Sequence, residues 1–509
     1  MPRKLLLLAA AVIALALPTL SSTAVGPDTT ALRNAVTVAG VMEHEQALQA
    51  IANANGGTRA SGTPGYAASV DYVADLLTEA GYEVTIQNFT YDQFILNSSA
   101  FQRVSPDPKT YVEGLDGEYS PMDYSGSGDF TAPLALAGGI TIPSPGGSAS
   151  GCTAADYAGF PAGAIALVQR GTCTFREKAE AAQAAGAVAV IIFNEGNDDP
   201  NDDRIGVIAG TLDPPQDDIP VIGTSFAVGQ ELYNRITGGQ TVTVRVAVDA
   251  ETVTTATANV LADTPTGRED RTVVVGAHLD SVDEGPGIND NGSGTSTILE
   301  TALQMAELDI QPVNRVRFAF WGAEEDGLIG SQYYVDHLPK RDLKDIALNL
   351  NHDMVGSTNF VRFVYDGDGS AFGVDGPSGS GRIEDVFVDY FASQGLATEP
   401  TEFDGRSDYD AFINAGIPAG GLFTGAEGIK TAAQAAVYGG TAGVAYDPCY
   451  HQACDTIANL SSTALDQMSD AIAHSTLVFA LTKSSVSGTD KASNTAKDNM
   501  QFKGSKLER

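Results

Sequence analysis

Val273-Val274-Val275-Gly276-Ala277 runs directly into His278-Leu279-Asp280, and the next segment is Gly287-Ile288-Asn289-Asp290-Asn291-Gly292. The pattern recurs twice. Phe318-Ala319-Phe320-Trp321-Gly322-Ala323 runs into Glu324-Glu325, and Leu348-Asn349-Leu350-Asn351 runs into His352-Asp353. The apolar runs Thr272 to Val275, Val316 to Trp321 and Ile346 to Leu350 have strand length, and helical stretches such as Ser293 to Glu307 and Ser331 to Leu338 separate them. Strands alternating with helices predict an α/β fold with a mostly parallel central sheet covered by helices on both faces. In such sheets ligands lie outside the carboxyl ends of the strands, and His278, Asp280, Asp290, Glu324, Glu325 and Asp353 all fall there.

Imidazole and carboxylate without thiolate suit zinc, and suit manganese or cobalt less well. Two ions would need about five or six donors, one of them a carboxylate able to bridge ions ~3.5–4 Å apart. His451, in Asp447-Pro448-Cys449-Tyr450-His451, can close the set. Alone, each piece has an ordinary reading: His278-x-Asp280 as a surface pair, Glu324-Glu325 as a solvated helix start, Asp290 in Asn-Asp-Asn-Gly as a turn. Their conjunction at strand ends, in order, outweighs those readings. Among the other histidines, His44, His337 and His474 lie on helical stretches where exposed or satisfied core roles suffice. His352 adjoins Asp353 on an extended segment, so its ring is expected on the opposite face.

Upstream, Val41 to Asn53 and Tyr66 to Ala80 carry helical apolar spacing, the second opening at Gly62-Thr63-Pro64-Gly65, and Tyr82 to Phe89 alternates like a strand. From about Gly126 the texture changes. Ala164 to Val168, Ala187 to Phe193, Ile219 to Ile222 and Val242 to Val246 read as strands, with a helix from Phe175 to Ala185. The loop Asn197 to Asp203 holds four aspartates; a calcium site is one reading, but EF-hand spacing is missing and a solvated acidic loop is preferred. The expected organisation is a signal peptide (1–24), an N-terminal part of the catalytic domain (25–125), a β-rich insert (126–250), the catalytic remainder (251–483) and a disordered tail (484–509).

The signal peptide rests on Arg3 and Lys4 before an apolar run from Leu5 to Leu17, with small residues at Ser22-Thr23-Ala24. That run is shorter than the ~20 residues of a membrane span, so the expectation is a secreted protein with no membrane attachment after cleavage. Four cysteines in an oxidising compartment read as disulfides. Three pairings exist for them, and their clustering favours Cys152 with Cys173 and Cys449 with Cys454. The 509 residues carry 29 basic and 64 acidic side chains, a formal charge of −35. Nucleic acid, bound chiefly through clustered Lys and Arg, is thereby disfavoured as a partner.

From Thr58 to about Ala480 the chain resembles the secreted co-catalytic di-zinc aminopeptidases of the bacterial leucine type and the aminopeptidase Y type. The resemblance rests on His278, Asp280 and Asp290 at their spacing and on Glu324-Glu325 after an aromatic-Trp-Gly strand. The middle segment, through Val168-Gln169-Arg170-Gly171-Thr172-Cys173-Thr174-Phe175 and the Lys178-Ala179 helix, resembles the protease-associated (PA) domain. The resemblance implies peptide substrates and two zinc ions bridged by Asp290, with His278 and Asp353 completing one site and Glu325 and His451 the other. It implies Asp280 as acceptor from the His278 ring, Glu324 as general base, Tyr450 as oxyanion donor and Arg406 in positioning substrate. A carboxypeptidase on the same scaffold and a binding protein with a relict site are the competing readings; the first lacks an arginine-rich pocket and the second would have lost ligands. A single-zinc, glutaminyl cyclase-like site would not need the full five-ligand set.

Overall fold

The structure is a computed structural model that describes residues 27–115, 117–144, 147–197 and 204–484. The expected signal peptide, Asp198, Asp199, Asp202 and Asp203 of the acidic loop, and the tail after Ser484 lie outside the described residues. Helices Thr30–Ala35, Val38–Ala54 and Pro64–Glu79 come first. The third starts where the sequence supplies a cap: Thr63 Oγ1 accepts from Tyr66 N at 3.3 Å, and Pro64 stands in the first turn, where its missing N–H costs nothing.

Strand β1 (Glu83–Ser105) is far longer than the stretch expected from Tyr82 to Phe89. At ~3.3 Å per residue its 23 residues span roughly 75 Å. After the short β2 (Lys109–Thr110) and β3 (Tyr119–Pro121) come β4 (Gly128–Leu136), β5 (Ile165–Gln169), β6 (Ala189–Phe193) and β7 (Val221–Thr224). Strands β4 to β7 pair in parallel, and β3 closes the edge antiparallel. The helix Phe175–Ala184 packs on one side of this sheet, with Phe175, Ala179 and Ala182 against Ala166, Val168 and Val190. Leu167, Ile191 and Phe193 face the other side, toward Val228 and Leu232 of the helix Phe226–Thr237. Cys152 and Cys173 are disulfide-bonded.

Strand β8 (Thr243–Asp263) then runs antiparallel to β1 along its whole length, from Ser105↔Thr243 to Glu83↔Asp263. Its first half also pairs with β4 and its last residues with β10 (Asn314–Trp321). One strand therefore belongs to both halves of the molecule. The second half is built on β9 (Arg268–His278), with β10 on one side and β11 (Ile346–His352) on the other, both parallel to it. β12 (Phe363–Tyr365), β13 (Glu399–Thr401) and β14 (Ala419–Phe423) extend that side, β14 lying parallel to β11. The period of two is exact at the centre. Val273, Val275 and Ala277 pack with the helices Gly294–Glu307 and Ser462–Leu481. Val274, Ala319 and Trp321 pack on the opposite face with Tyr334, Phe412 and Ile413. The fold is thus α/β, with a mostly parallel sheet covered on both faces.

Candidate active site

Neighbouring strands β10, β9 and β11 end together, and each delivers polar side chains at its carboxyl end. His278 is the last residue of β9; Asp353 follows the last residue of β11; Glu324 and Glu325 follow the turn that ends β10. Gly322 in that turn accepts no side chain, because a Cβ there would lie 2.2 Å from Tyr66 Oη and 2.6 Å from the Ala258 carbonyl oxygen. Ala323, Met354 and His451 hold positive φ angles of 58°, 58° and 54°. Ala323 and Met354 adjoin Glu324 and Asp353, and His451 is itself a candidate ligand, a placement typical of strained functional turns.

Asp290 lies at the centre of the group. Its Oδ1 is 3.3 Å from His278 Nε2 and its Oδ2 is 3.2 Å from His451 Nε2. His278 Nε2 also lies 3.3 Å from Asp353 Oδ1 and 3.9 Å from Glu324 Oε2. His451 Nε2 lies 2.9 Å from Glu325 Oε2. The structure therefore brings together all five residues expected to hold metal, with Glu324 beside them. By proximity alone Glu324 joins His278 and Asp353 as a donor trio, yet it stands farther from the imidazole than either Asp290 or Asp353.

Around this group the hydrogen bonds set orientation. His278 Nδ1 lies 3.2 Å from the main-chain oxygen of Asp280, an acceptor that makes Nδ1 the donor and directs the Nε2 lone pair into the site. The Asp280 carboxylate is farther from that ring, at 3.6 Å; its two oxygens accept the main-chain N–H groups of Glu324 and Glu325, each at 3.3 Å. Ser407 Oγ donates to Asp353 Oδ2 at 2.7 Å and accepts from Asn351 Nδ2 at 2.8 Å. Arg406 pairs with Glu427 at 3.0 Å and donates to Tyr450 Oη at 3.3 Å. The Tyr450 ring stacks on His451, centroids 3.9 Å apart, and the Cys449–Cys454 disulfide closes a ring around both.

Charge in the site is unbalanced without a cation. Asp280, Asp290, Glu324 and Asp408 are all buried, and a buried charge is costly unless it is paired or coordinates a metal. Burial pushes Glu324 well above the ordinary carboxylate range despite His278, and raises Glu325 to about 7 and Asp408 to about 8. Burial works against protonation of His451, but Glu325 and then Asp290 raise it to about 10. Imidazoles driven to the charged form by surrounding carboxylates mark a place where positive charge is wanted. Two imidazoles and a set of oxygens, with no thiolate, match the donor preference of zinc, so the residues present fit the metal that the sequence implied.

Some contributors were invisible in the sequence. Ser407 and Asp408 directly follow Arg406 in Gly405-Arg406-Ser407-Asp408-Tyr409 but carried no assignment, and Asp455 follows Cys454 with only its nearness to the disulfide as a signal. Arg59, in the turn before the helix Pro64–Glu79, is fully buried. Its guanidinium donates to the carbonyls of Leu279, Pro286 and Gly287, spanning the loop between His278 and Asp290. The other histidines stay outside. His352 is buried against Phe387 on the opposite face of β11, where burial drives it down to about 3. His44 meets Tyr72 and Glu300, and His474 meets Thr29. The exposed His337 stacks on Tyr333.

A cleft opens over the group. Met354, Tyr365, Phe423 and Ala426 form apolar wall, and Thr401, Glu402, Asp404 and Arg406 the polar rim. The model of peptidase family M28 matches residues 259–476, and that of the PA domain matches residues 130–232. An aminopeptidase of Pseudomonas aeruginosa is 48% identical over 465 residues, covering 90% of this chain and 82% of its own. Leucine aminopeptidase 2 of Arthroderma otae is 39% identical over 480 residues, covering 94% of this chain and 90% of its own. Among solved structures, a zinc aminopeptidase from Bacillus subtilis superposes with a TM-score of 0.59 at 25% identity, covering 89% of this chain and 97% of that one.

Proposed function

Because the chain belongs to peptidase family M28, we propose that it is a secreted zinc aminopeptidase that removes apolar N-terminal residues from peptides. The observation that carries the reading is Asp290, whose two carboxylate oxygens face two different imidazoles, His278 and His451, at 3.3 and 3.2 Å. His278 and Asp353 would hold one zinc ion, Glu325 and His451 the other, and Asp290 both. Bound there, the ions would lower the pKa of a water from 15.7 to roughly 7 and polarise the scissile carbonyl.

The chain's own residues do the rest. Glu324, which burial raises well above the ordinary carboxylate range, takes the proton of the attacking water on its carboxylate and returns it to the leaving amine nitrogen. Asp280, bonded to the main chain of both glutamates, keeps Glu325 turned to His451 while Glu324 faces the cleft. Tyr450 Oη accepts from Arg406 Nη2 and donates to the developing oxyanion, a contribution of ~2.7–4 kcal/mol per donor in comparable sites. Met354, Phe423 and Ala426 receive the apolar side chain. Among the described residues lining the cleft, Arg406 is the one guanidinium. Glu427 already holds it, which leaves a C-terminal carboxylate without a dedicated partner.

The test compares kcat/KM on leucyl anilide and its N-acetylated form, with and without chelator. A charge-assisted hydrogen bond to the free amine contributes ~1.5–3 kcal/mol, so acetylation is expected to cost at least roughly ten- to a hundred-fold, and the chelator to abolish turnover. Equal cleavage of the acetylated substrate, or amino acids released from the C-terminus of a peptide, overturns the aminopeptidase reading.

A further inference from the structure

The turn that carries Asp290 cannot satisfy its own backbone. Asp290 and Asn291 have φ/ψ of −108°/96° and −118°/44°, outside the helical region, and Asn289, Asp290 and Asn291 are all buried. A buried N–H without a partner costs about as much as a lost hydrogen bond. One residue from far along the chain meets the N–H groups of Ile288, Asn289 and Asp290. Asp455 Oδ1 accepts from Asn289 N at 2.9 Å, Asp455 Oδ2 accepts from Asp290 N at 3.0 Å, and the Asp455 carbonyl accepts from Ile288 N at 3.2 Å. Asp455 is itself 2% exposed. Asn459 Nδ2 anchors it at 3.0 Å and also donates to Asp447, whose Oδ2 takes Asn289 Nδ2 at 2.6 Å.

Asp455 directly follows Cys454, and His451 lies inside the same disulfide ring. The loop that presents His451 to Asp290 thus also grips the peptide on which Asp290 stands. We infer that Asp455 is a positioning residue that sets the Asp290 carboxylate between His278 and His451, so that two donors of one zinc site are fixed by a single stapled loop. Arg59 holds the opposite side of the segment through the carbonyls of Leu279, Pro286 and Gly287, which leaves the N–H side to Asp455. The inference rests on the zinc reading above. A conventional structural peg would stabilise the fold; a positioning residue must in addition set metal affinity.

Asp455→Asn keeps the volume but turns an amide N–H₂ toward a main-chain N–H. In the full-length protein, zinc affinity measured by competition with a chromophoric chelator should weaken roughly ten- to a hundred-fold, the range for residues that orient ligands. Its kcat should recover as free zinc is raised, with KM little changed. Asn459→Ala loosens Asp455 without altering its carboxylate and should weaken zinc binding less, in the same direction. Wild-type zinc affinity in Asp455→Asn overturns the inference; if that variant does not fold, unchanged affinity in Asn459→Ala overturns it instead. If the wild-type protein binds no zinc, the zinc reading itself falls and takes the inference with it.

Discussion

Glu324 and Glu325 are neighbours in sequence and part company in space. Glu325 Oε2 lies 2.9 Å from His451 Nε2, whereas Glu324 Oε2 stays 3.9 Å from His278 Nε2. The separation assigns different outcomes to similar substitutions. Glu324→Gln keeps shape and removes the proton acceptor, so it should retain both zinc ions by elemental analysis while turnover drops ~10²–10⁴-fold. Asp290→Asn replaces one oxygen of the carboxylate shared by two imidazoles, and it should lose metal as well as turnover. Near-wild-type turnover in Glu324→Gln would refute its role as base. His278, Asp290, Glu324, Glu325 and Asp353 were legible because a strand's end is written locally. Ser407 and Asp455 were not, since each acts on a ligand 54 or 165 residues away.

Two elements test how local structure serves the site. The Cys449–Cys454 ring spans a separation of only 5 residues, so its effect on the unfolded chain is below the ~3 kcal/mol of a 15-residue loop. Replacing both cysteines by Ser should accordingly shift the thermal midpoint little and reduce zinc affinity roughly tenfold or more, because His451 and Asp455 lose their common frame. A large fall in midpoint with unchanged zinc affinity would show that the staple serves the fold instead. In the helix Ser462–Leu481, His474 accepts a bond from or donates one to Thr29 at 2.8 Å and stacks on Tyr390. Burial, and then Arg33, push its imidazole down to about 4 from the ordinary 6.5. Between those values the unfolded chain binds a proton that the folded one does not, so stability is lost as pH falls from 6.5 toward 4. His474→Phe should flatten that slope in urea midpoints measured at pH 7 and pH 5; an unchanged slope would mean that His474 titrates normally.

At the scale of the molecule, two cores share a ribbon. Val273, Phe318 and Leu350 belong to one and Phe101, Ile165 and Val246 to another, while β1 and β8 run through both halves. Phe101, fully buried and stacked on Tyr111 at 4.2 Å, packs in the core of the insert although it stands on β1, before residue 126. Phe101→Ala, at ~3–5 kcal/mol, should lower the calorimetric transition of the insert and leave zinc content intact. A single transition that moves as a whole would make the two cores one cooperative unit. Among the described residues no helix is long and apolar enough to cross a membrane.

By itself the sequence determined the layered α/β architecture and the order of the chemistry along it. Runs such as Val273 to Ala277 must be buried on both faces, and strands of that kind exist only where helices cover them. For the cysteines it favoured, among three pairings, the one that the structure holds, with 21 and 5 residues separating the joined pairs. Only the tertiary structure decided the extent of the ribbon. Residues 90 to 105 mix polar and apolar side chains without alternation, since much of a two-stranded ribbon meets solvent on both faces, and no burial period is imposed there. The tertiary structure alone likewise decided what holds Asp290. Its main chain is satisfied by a carboxylate that arrives with the last loop before the final helix, and backbone groups in an irregular turn take whichever partner the packing brings within 3 Å.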